Sequence, residues 1–179
     1  MPAASGSQLT KVAKGFKELA LVGLLDEEAH VRVSGAQALG CSPIATAFAE
    51  GTDYVRPVKP DTIAKSLAIG NPADGIYALE AVRSSGGALA AVSEGEIVEG
   101  MRLLATTEGI FGETAAGVTI ATLARLAAEG IVRPDERVVA YVTGAGLKTI
   151  EAVAGVARPT ATIAPTLDAF AEAFEDSAD

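Results

Sequence analysis

Tryptophan is absent from this 179-residue chain, and aromatic residues make up only 4% of it. A core built from it therefore has to be aliphatic, since 49% of the residues are nonetheless hydrophobic. One cysteine, Cys41, excludes an internal disulfide and fits a reducing compartment, so the expected location is the cytoplasm. One histidine, His30, leaves little material for a histidine metal cluster or a histidine relay. Positive charge is scarce too: 14 Lys and Arg face 23 Asp and Glu, for a net charge of −9. That balance argues against nucleic acid or an anionic membrane as a partner, because both demand basic surface. A small anion is still admissible, since a few backbone amides bind phosphate whatever the overall sign. No apolar run is long enough to span a bilayer, and no charged segment followed by an apolar run opens the chain.

What is present is Ala, Val, Leu and Ile, with 19 glycines as punctuation. Leu9, Val12, Ala13, Phe16, Leu19, Ala20 and Leu24 recur at helical spacing, which predicts an amphipathic helix ending near Gly23. HVRVSGAQALG reads as a strand, and Ser42-Pro43 opens a short helix stopped by Gly51. GTDYVRPVKPD is a loop, after which Asp61 is expected to cap a short helix, TIAKSLA. IYALEAVRSSGG reads as a helix closed by glycine, LAAVS as a strand, and Ser93 with Glu96 as a capping box. ETAAGVTIATLARLAAEG is a strongly periodic helix, RVVAYVT the clearest strand, and GAGLKT a turn running into a further helix. A last amphipathic helix ends in an acidic tail, with residues 175–179 expected to be disordered. Helices alternating with short apolar strands predict an α/β fold: a mostly parallel sheet with helices on both faces. Three or four strands are few for such a domain, so an incomplete one is expected.

Open parallel sheets bind ligands where strand-to-helix turns gather. The turn Ala4, Ser5, Gly6, Ser7, Gln8 has the right character: small residues, two hydroxyls and the positive end of the following helix. It reads equally well as a small-residue leader. In VTGAGLK, Thr143 offers a hydroxyl above the sheet beside Gly144 and Gly146; a plain tight turn is the competing reading. SLAIGNP and EGIFGETAAG join helices through small residues and are candidate pocket walls. Gly70 in the first could permit close approach of a ligand. Glu113 in the second either faces a pocket or caps a helix. Cys41 reads as a small packed residue, with no histidine placed to activate it. Arg56 and Lys59 suit an anionic substrate or simply a solvated loop.

Taken in order, PAASGSQLTKVAKGFKEL, GAQALGCSPIATAF, Pro60-Asp61-Thr62-Ile63-Ala64, SLAIGNPADG, VSEGEI, EGIFGETAAGVTIATLARL, VTGAGLK and IAPTLDAF resemble the C-terminal part of the threonine synthases. These are pyridoxal-phosphate enzymes of the tryptophan-synthase-β-like fold, fold type II. The resemblance implies that residues 1–179 form the C-terminal part of the large cofactor-binding domain. It implies that Ala4 to Gln8 hold the pyridoxal 5'-phosphate anion and that Thr143 meets the pyridine nitrogen. A neutral partner there leaves the ring less protonated than an aspartate would. It also implies a substrate, O-phospho-L-homoserine, converted with water to L-threonine and phosphate.

The family's Schiff-base lysine, in a Ser-Phe-Lys-Asp-like motif, has no counterpart here. The six lysines, Lys11, Lys14, Lys17, Lys59, Lys65 and Lys148, all lack that context, so no catalytic residue is assigned. Ala145 and Thr149 stand where many relatives carry Asn or Asp. Met1 therefore reads as an internal methionine, the lysine-bearing N-terminal portion being absent. The expected partners are that portion or further copies of the chain, and the isolated chain is expected to be inactive. Two other readings are a fragment of a related enzyme such as threonine dehydratase, and a non-catalytic chain that completes a split enzyme. No GxGxxG turn or Walker lysine pattern supports a nucleotide-binding module.

Overall fold

Helices sandwich a short parallel sheet in a computed structural model that describes residues 1–25, 30–157, 159 and 161–174. The tail at 175–179 lies outside the described residues. In chain order the elements are α1 (Ser7–Leu21), β1 (Gly35–Ala38), α2 (Pro43–Ala49), α3 (Gly75–Ser85), β2 (Leu89–Val92), α4 (Glu94–Glu108), α5 (Thr114–Ala128) and α6 (Leu167–Phe174). β1 and β2 pair in parallel, Gly35 opposite Leu89 and Ala38 opposite Val92. On the other side of β1 the first residues of the chain add a parallel stub. Ala36 donates to the Met1 carbonyl at 2.9 Å, and Ala3 donates back to Ala36 at 2.9 Å.

β1 is buried at every position, as a strand covered on both faces must be. One face packs Leu9 and Ala13 of α1, Ile44 of α2, and Leu79 and Val82 of α3. The other packs Ala36 and Ala38 against Ile97 and Met101 of α4 and Ala115 and Val118 of α5. Gln37 is the polar exception inside the strand. Its amide nitrogen donates to the Ala3 carbonyl at 3.0 Å. Its oxygen accepts from the Ile44 and Ala45 amides at 3.0 and 2.9 Å, satisfying the open start of α2. One side chain thus ties β1, the chain's first turn and a helix terminus together.

Several elements form as the sequence predicts. Ser93 Oγ accepts from the Glu96 amide while the Glu96 carboxylate accepts from the Ser93 amide, so the capping box is closed in both directions. Gly86 ends α3 in the left-handed conformation, φ 69°. Three expectations need correction. TIAKSLA forms only a single 3-10 turn at Lys65–Leu67. Its preceding amides are claimed by distant acceptors, Asp61 by Gly40 and Ile63 by Glu94, and Asp61 caps nothing. GAGLKT continues into two 3-10 turns, Gly146–Lys148 and Ile150–Ala152, rather than a helix. RVVAYVT, expected as a buried strand, has no ladder partner, and Val139 is 73% exposed. A strand requires a neighbour as well as β-branched composition. Among the described residues the sheet therefore has two strands and the Pro2 stub, fewer than the three or four expected.

Candidate functional site

The turn at Ala4–Gln8 leaves the sheet beside β1 and enters α1 at once. Gly6 holds φ 88°, a conformation that a side chain rarely adopts. A Cβ there would lie 2.7 Å from the Asp74 carbonyl, so the turn and the start of α3 touch backbone to backbone. Asp74 in turn donates its amide to the Ser5 carbonyl at 2.9 Å. The turn is thereby fixed in place. Among the described residues the amides of Gly6, Gln8 and Leu9 have no hydrogen-bond acceptor. They stand at the positive end of a fifteen-residue helix.

The two serines are unequal. Ser5 Oγ donates to Ser7 Oγ at 3.1 Å, and Ser7 Oγ donates to the Asp74 carboxylate. The Ser7 proton is thus committed to a neighbouring acid. The Ser5 hydroxyl gives up only a weak neutral bond if an anion claims it.

Facing this turn is the loop between α4 and α5. Gly112 bridges to Ala145, the Glu113 amide donates to the Gly144 carbonyl at 2.9 Å, and Gly146 donates to Phe111 at 2.8 Å. These bonds pin residues 144–146 to 111–113 and carry Thr143 with them. Glu113 occupies the N-cap position of α5 but makes no side-chain cap bond. Its side chain is only 6% exposed and lines a cavity of about 340 Å³. Ala4, Ser5, Gly6, Ser7, Gln8, Glu113 and Thr143 all border that cavity, although they come from opposite ends of the chain.

Gly70 does not border it. Its carbonyl accepts from Val58 at 2.9 Å, and a Cβ at Gly70 would collide with the Val58 carbonyl. Its smallness serves loop packing. Ser66, Leu67 and Ala115 also line the cavity, and no chemical signature in the sequence distinguishes them individually. The candidate walls SLAIGNP and EGIFGETAAG contain the first two and the third respectively. None of the six lysines is a lining residue; all are exposed.

Among the described residues no cationic side chain lines the cavity, so an anion in it relies on the free amides, the Ser5 hydroxyl and the helix dipole. That last term contributes roughly 0.3–2 kcal/mol. Pyridoxal phosphate fits these donors at its two ends. Three unclaimed amides around a Cβ-free glycine suit a phosphate, and the Thr143 hydroxyl on the facing wall suits a ring nitrogen. No amine lines the cavity to meet the carbonyl end of the cofactor.

The profile of the "Pyridoxal-phosphate dependent enzyme" family matches residues 1–144, a span that takes in the serine turn, Glu113 and Thr143. Threonine synthase of Methanocaldococcus jannaschii is 43% identical over 153 residues, covering 85% of this chain and 37% of that protein. Threonine synthase of Methanosarcina acetivorans is 34% identical over 175 residues, covering 97% of this chain and 43% of that protein. Among solved structures, the processed form of threonine deaminase isoform 2 from Solanum lycopersicum superposes with a TM-score of 0.65. The match covers 88% of this chain and 43% of that one at 19% identity, a likeness of fold alone. The chain spans about two fifths of the length of these curated relatives. Its family is nonetheless plain: the chain belongs to the pyridoxal-phosphate dependent enzymes.

Proposed function

We propose that this chain supplies the phosphate cradle and the pyridine-nitrogen contact of a threonine synthase, which converts O-phospho-L-homoserine and water to L-threonine and phosphate. The observation that carries this reading is the shared cavity. The Ser5–Gly6–Ser7 turn and Thr143 stand on its walls together. Threonine synthases at 34–43% identity support the choice of reaction; the threonine deaminase likeness, at 19%, concerns the fold.

Bound pyridoxal phosphate supplies the electron sink that stabilises negative charge on the substrate's carbon skeleton. The chain's own residues hold and tune that group. The amides of Gly6, Gln8 and Leu9 bind the phosphate with the Ser5 hydroxyl, which fixes the ring's position. The Thr143 hydroxyl, a neutral partner, leaves the ring nitrogen less protonated than an acid would, and so moderates the sink. Buried Glu113 places a carboxylate on the cavity wall, opposite the electropositive start of α1.

Proton transfer at the substrate requires a group within hydrogen-bond reach, and the lining has no lysine for it. That lysine belongs to a portion of the enzyme which precedes this chain, either joined to it or encoded separately. The complete enzyme works in the cytoplasm, and the 179-residue chain alone is inactive.

The test joins this chain to the N-terminal portion of a relative and compares O-phosphohomoserine with threonine as substrate. Phosphate and threonine formed from the first support the reading. Ammonia released from threonine, with no reaction of the phosphate ester, overturns it in favour of a deaminase. Turnover by the unassisted chain overturns the assignment of the lysine to another portion.

A further inference from the structure

Asp74 sits where two helices begin. It is the N-cap residue of α3, and its backbone lies against Gly6 at the entry to α1. An aspartate at an N-cap ordinarily turns its carboxylate onto the second or third amide of its own helix. This one makes no side-chain cap bond, and the Ile76 and Tyr77 amides find no acceptor among the described residues. The carboxylate instead accepts the Ser7 hydroxyl proton, across the junction of the two helices. Among the described residues no cation stands within salt-bridge distance of it.

The hydroxyls of the turn consequently form a directed chain. Ser5 Oγ donates to Ser7 Oγ at 3.1 Å, and Ser7 Oγ donates to Asp74. Both serines line the cavity, whereas Asp74 does not. An anion in the cavity has to compete for the Ser7 proton with an ionised carboxylate, itself a strong acceptor. It also meets a negative charge held one hydrogen bond behind the cavity wall, beside the positive helix end on which its binding depends.

We propose that Asp74 is a positioning residue that limits cofactor affinity. Its carboxylate holds the Ser7 oxygen as an acceptor, leaves Ser5 as the hydroxyl that donates to the phosphate, and offsets part of the positive potential of α1. The inference rests on the proposed function for the identity of the ligand and deepens it. Bracing the turn is a separate duty of the same residue, carried by its backbone: the amide donates to the Ser5 carbonyl at 2.9 Å, and the carbonyl packs on Gly6. Side-chain substitutions leave those backbone contacts in place, so charge and scaffold can be tested apart. In Asp74→Asn the side-chain oxygen still accepts from Ser7, and only the charge is lost.

The test uses this chain joined to the N-terminal portion of the Methanocaldococcus jannaschii threonine synthase, titrated with pyridoxal phosphate and with pyridoxal, which lacks the phosphate. Asp74→Asn is expected to tighten pyridoxal phosphate about threefold or more at low salt, a gain that shrinks as added salt screens the charge. Pyridoxal is expected to bind this variant and the parent alike. Ser7→Ala is expected to change pyridoxal-phosphate affinity less than about twofold in the parent. In the Asp74→Ala background, where the Ser7 hydroxyl is free to donate, the same change is expected to cost about threefold or more.

Unchanged or weaker binding of pyridoxal phosphate by Asp74→Asn overturns the inference, and so does an equal gain for pyridoxal. A Ser7→Ala cost that is the same in both backgrounds also overturns it. If Asp74→Ala unfolds, the Asp74→Asn comparison decides alone. An enzyme that shows these shifts but releases ammonia from threonine sinks the functional reading and leaves the role of Asp74 intact. One that forms threonine from O-phosphohomoserine without responding to Asp74→Asn does the reverse. No saturable uptake of pyridoxal phosphate by the parent overturns both.

Discussion

The carboxylate of Glu113 rests against Gly144, in the space that a Cβ on that glycine would take. The Glu113 amide donates to the same glycine's carbonyl at 2.9 Å, so the two residues hold each other from both ends. A methyl at Gly144 meets the far end of a flexible side chain rather than backbone, and the acid yields by turning. Gly144→Ala is therefore expected to cost less than about 1 kcal/mol of stability, since relief is cheap. It is expected to move the cofactor absorbance band of the restored enzyme. Urea unfolding and the absorption spectrum check the two halves.

Gly6→Ala acts differently, because its obstacle is backbone. The left-handed φ alone costs roughly 1–2 kcal/mol for a residue with a side chain. The Asp74 carbonyl at 2.7 Å from the new methyl adds strain. Weaker pyridoxal-phosphate binding is expected together with lower stability, measured by cofactor titration of the restored enzyme and by thermal unfolding of the chain.

Gly100 and Gly117 let α4 and α5 cross at backbone distance. A Cβ on either would press on a carbonyl of the opposite helix, Gly117 in one case and Ile97 in the other. Neither carbonyl can swing aside. Gly100→Ala is expected to destabilise by about 1–3 kcal/mol, the usual range for overpacking. A urea titration followed by circular dichroism reads it directly.

Gln37→Leu fits the volume but abandons three bonds. The Ala3 carbonyl and the Ile44 and Ala45 amides lose their partner in a buried place. Each buried group left unpaired costs roughly 1–3 kcal/mol, so a loss of about 3 kcal/mol or more is expected. Because Ala3 leads into the serine turn, cofactor affinity of the restored enzyme should fall with it.

Glu96 makes the acid limb of stability testable. Hydrogen bonds from the Ser93 hydroxyl and amide, and then the Arg125 guanidinium, lower its carboxyl from 4.5 to about 2. The folded value lies below the unfolded one, so the contribution is fully present above about pH 4.5 and is lost as the pH falls through about 2. The side chain is 43% exposed, so solvent screens part of the effect. Between those pH values, Glu96→Gln is expected to flatten the dependence of the urea midpoint on pH relative to the parent chain. An unchanged slope would remove Glu96 from the account of acid sensitivity.

Local chemistry made part of this molecule legible from its residues. Ser93 and Glu96 declare a capping box at fixed spacing, and Gly86 declares a helix end. A serine-glycine turn before a periodic helix announces free amides. Long-range competition hid the rest. Nothing near Asp61 reveals that its amide is held by Gly40, so the helix expected there shrinks to one 3-10 turn. Gln37 looks out of place in an apolar strand until Ala3 and α2 are seen around it. RVVAYVT has the composition of a central strand, but strand formation is a property of two edges, and composition reports on one. At the site, Thr143 and the serine turn stood out by chemistry. Ser66, Leu67 and Ala115 line the cavity by position alone.

Cys41 is buried, and burial raises its thiol above the ordinary range, so little reactive thiolate forms at neutral pH. With no other cysteine in the chain, a thiol engineered onto the surface will be the sole point of attachment for a maleimide dye. Val139→Cys, at a position open to solvent, would place such a dye on the run that leads to Thr143 and report on that wall of the site against an unlabelled background.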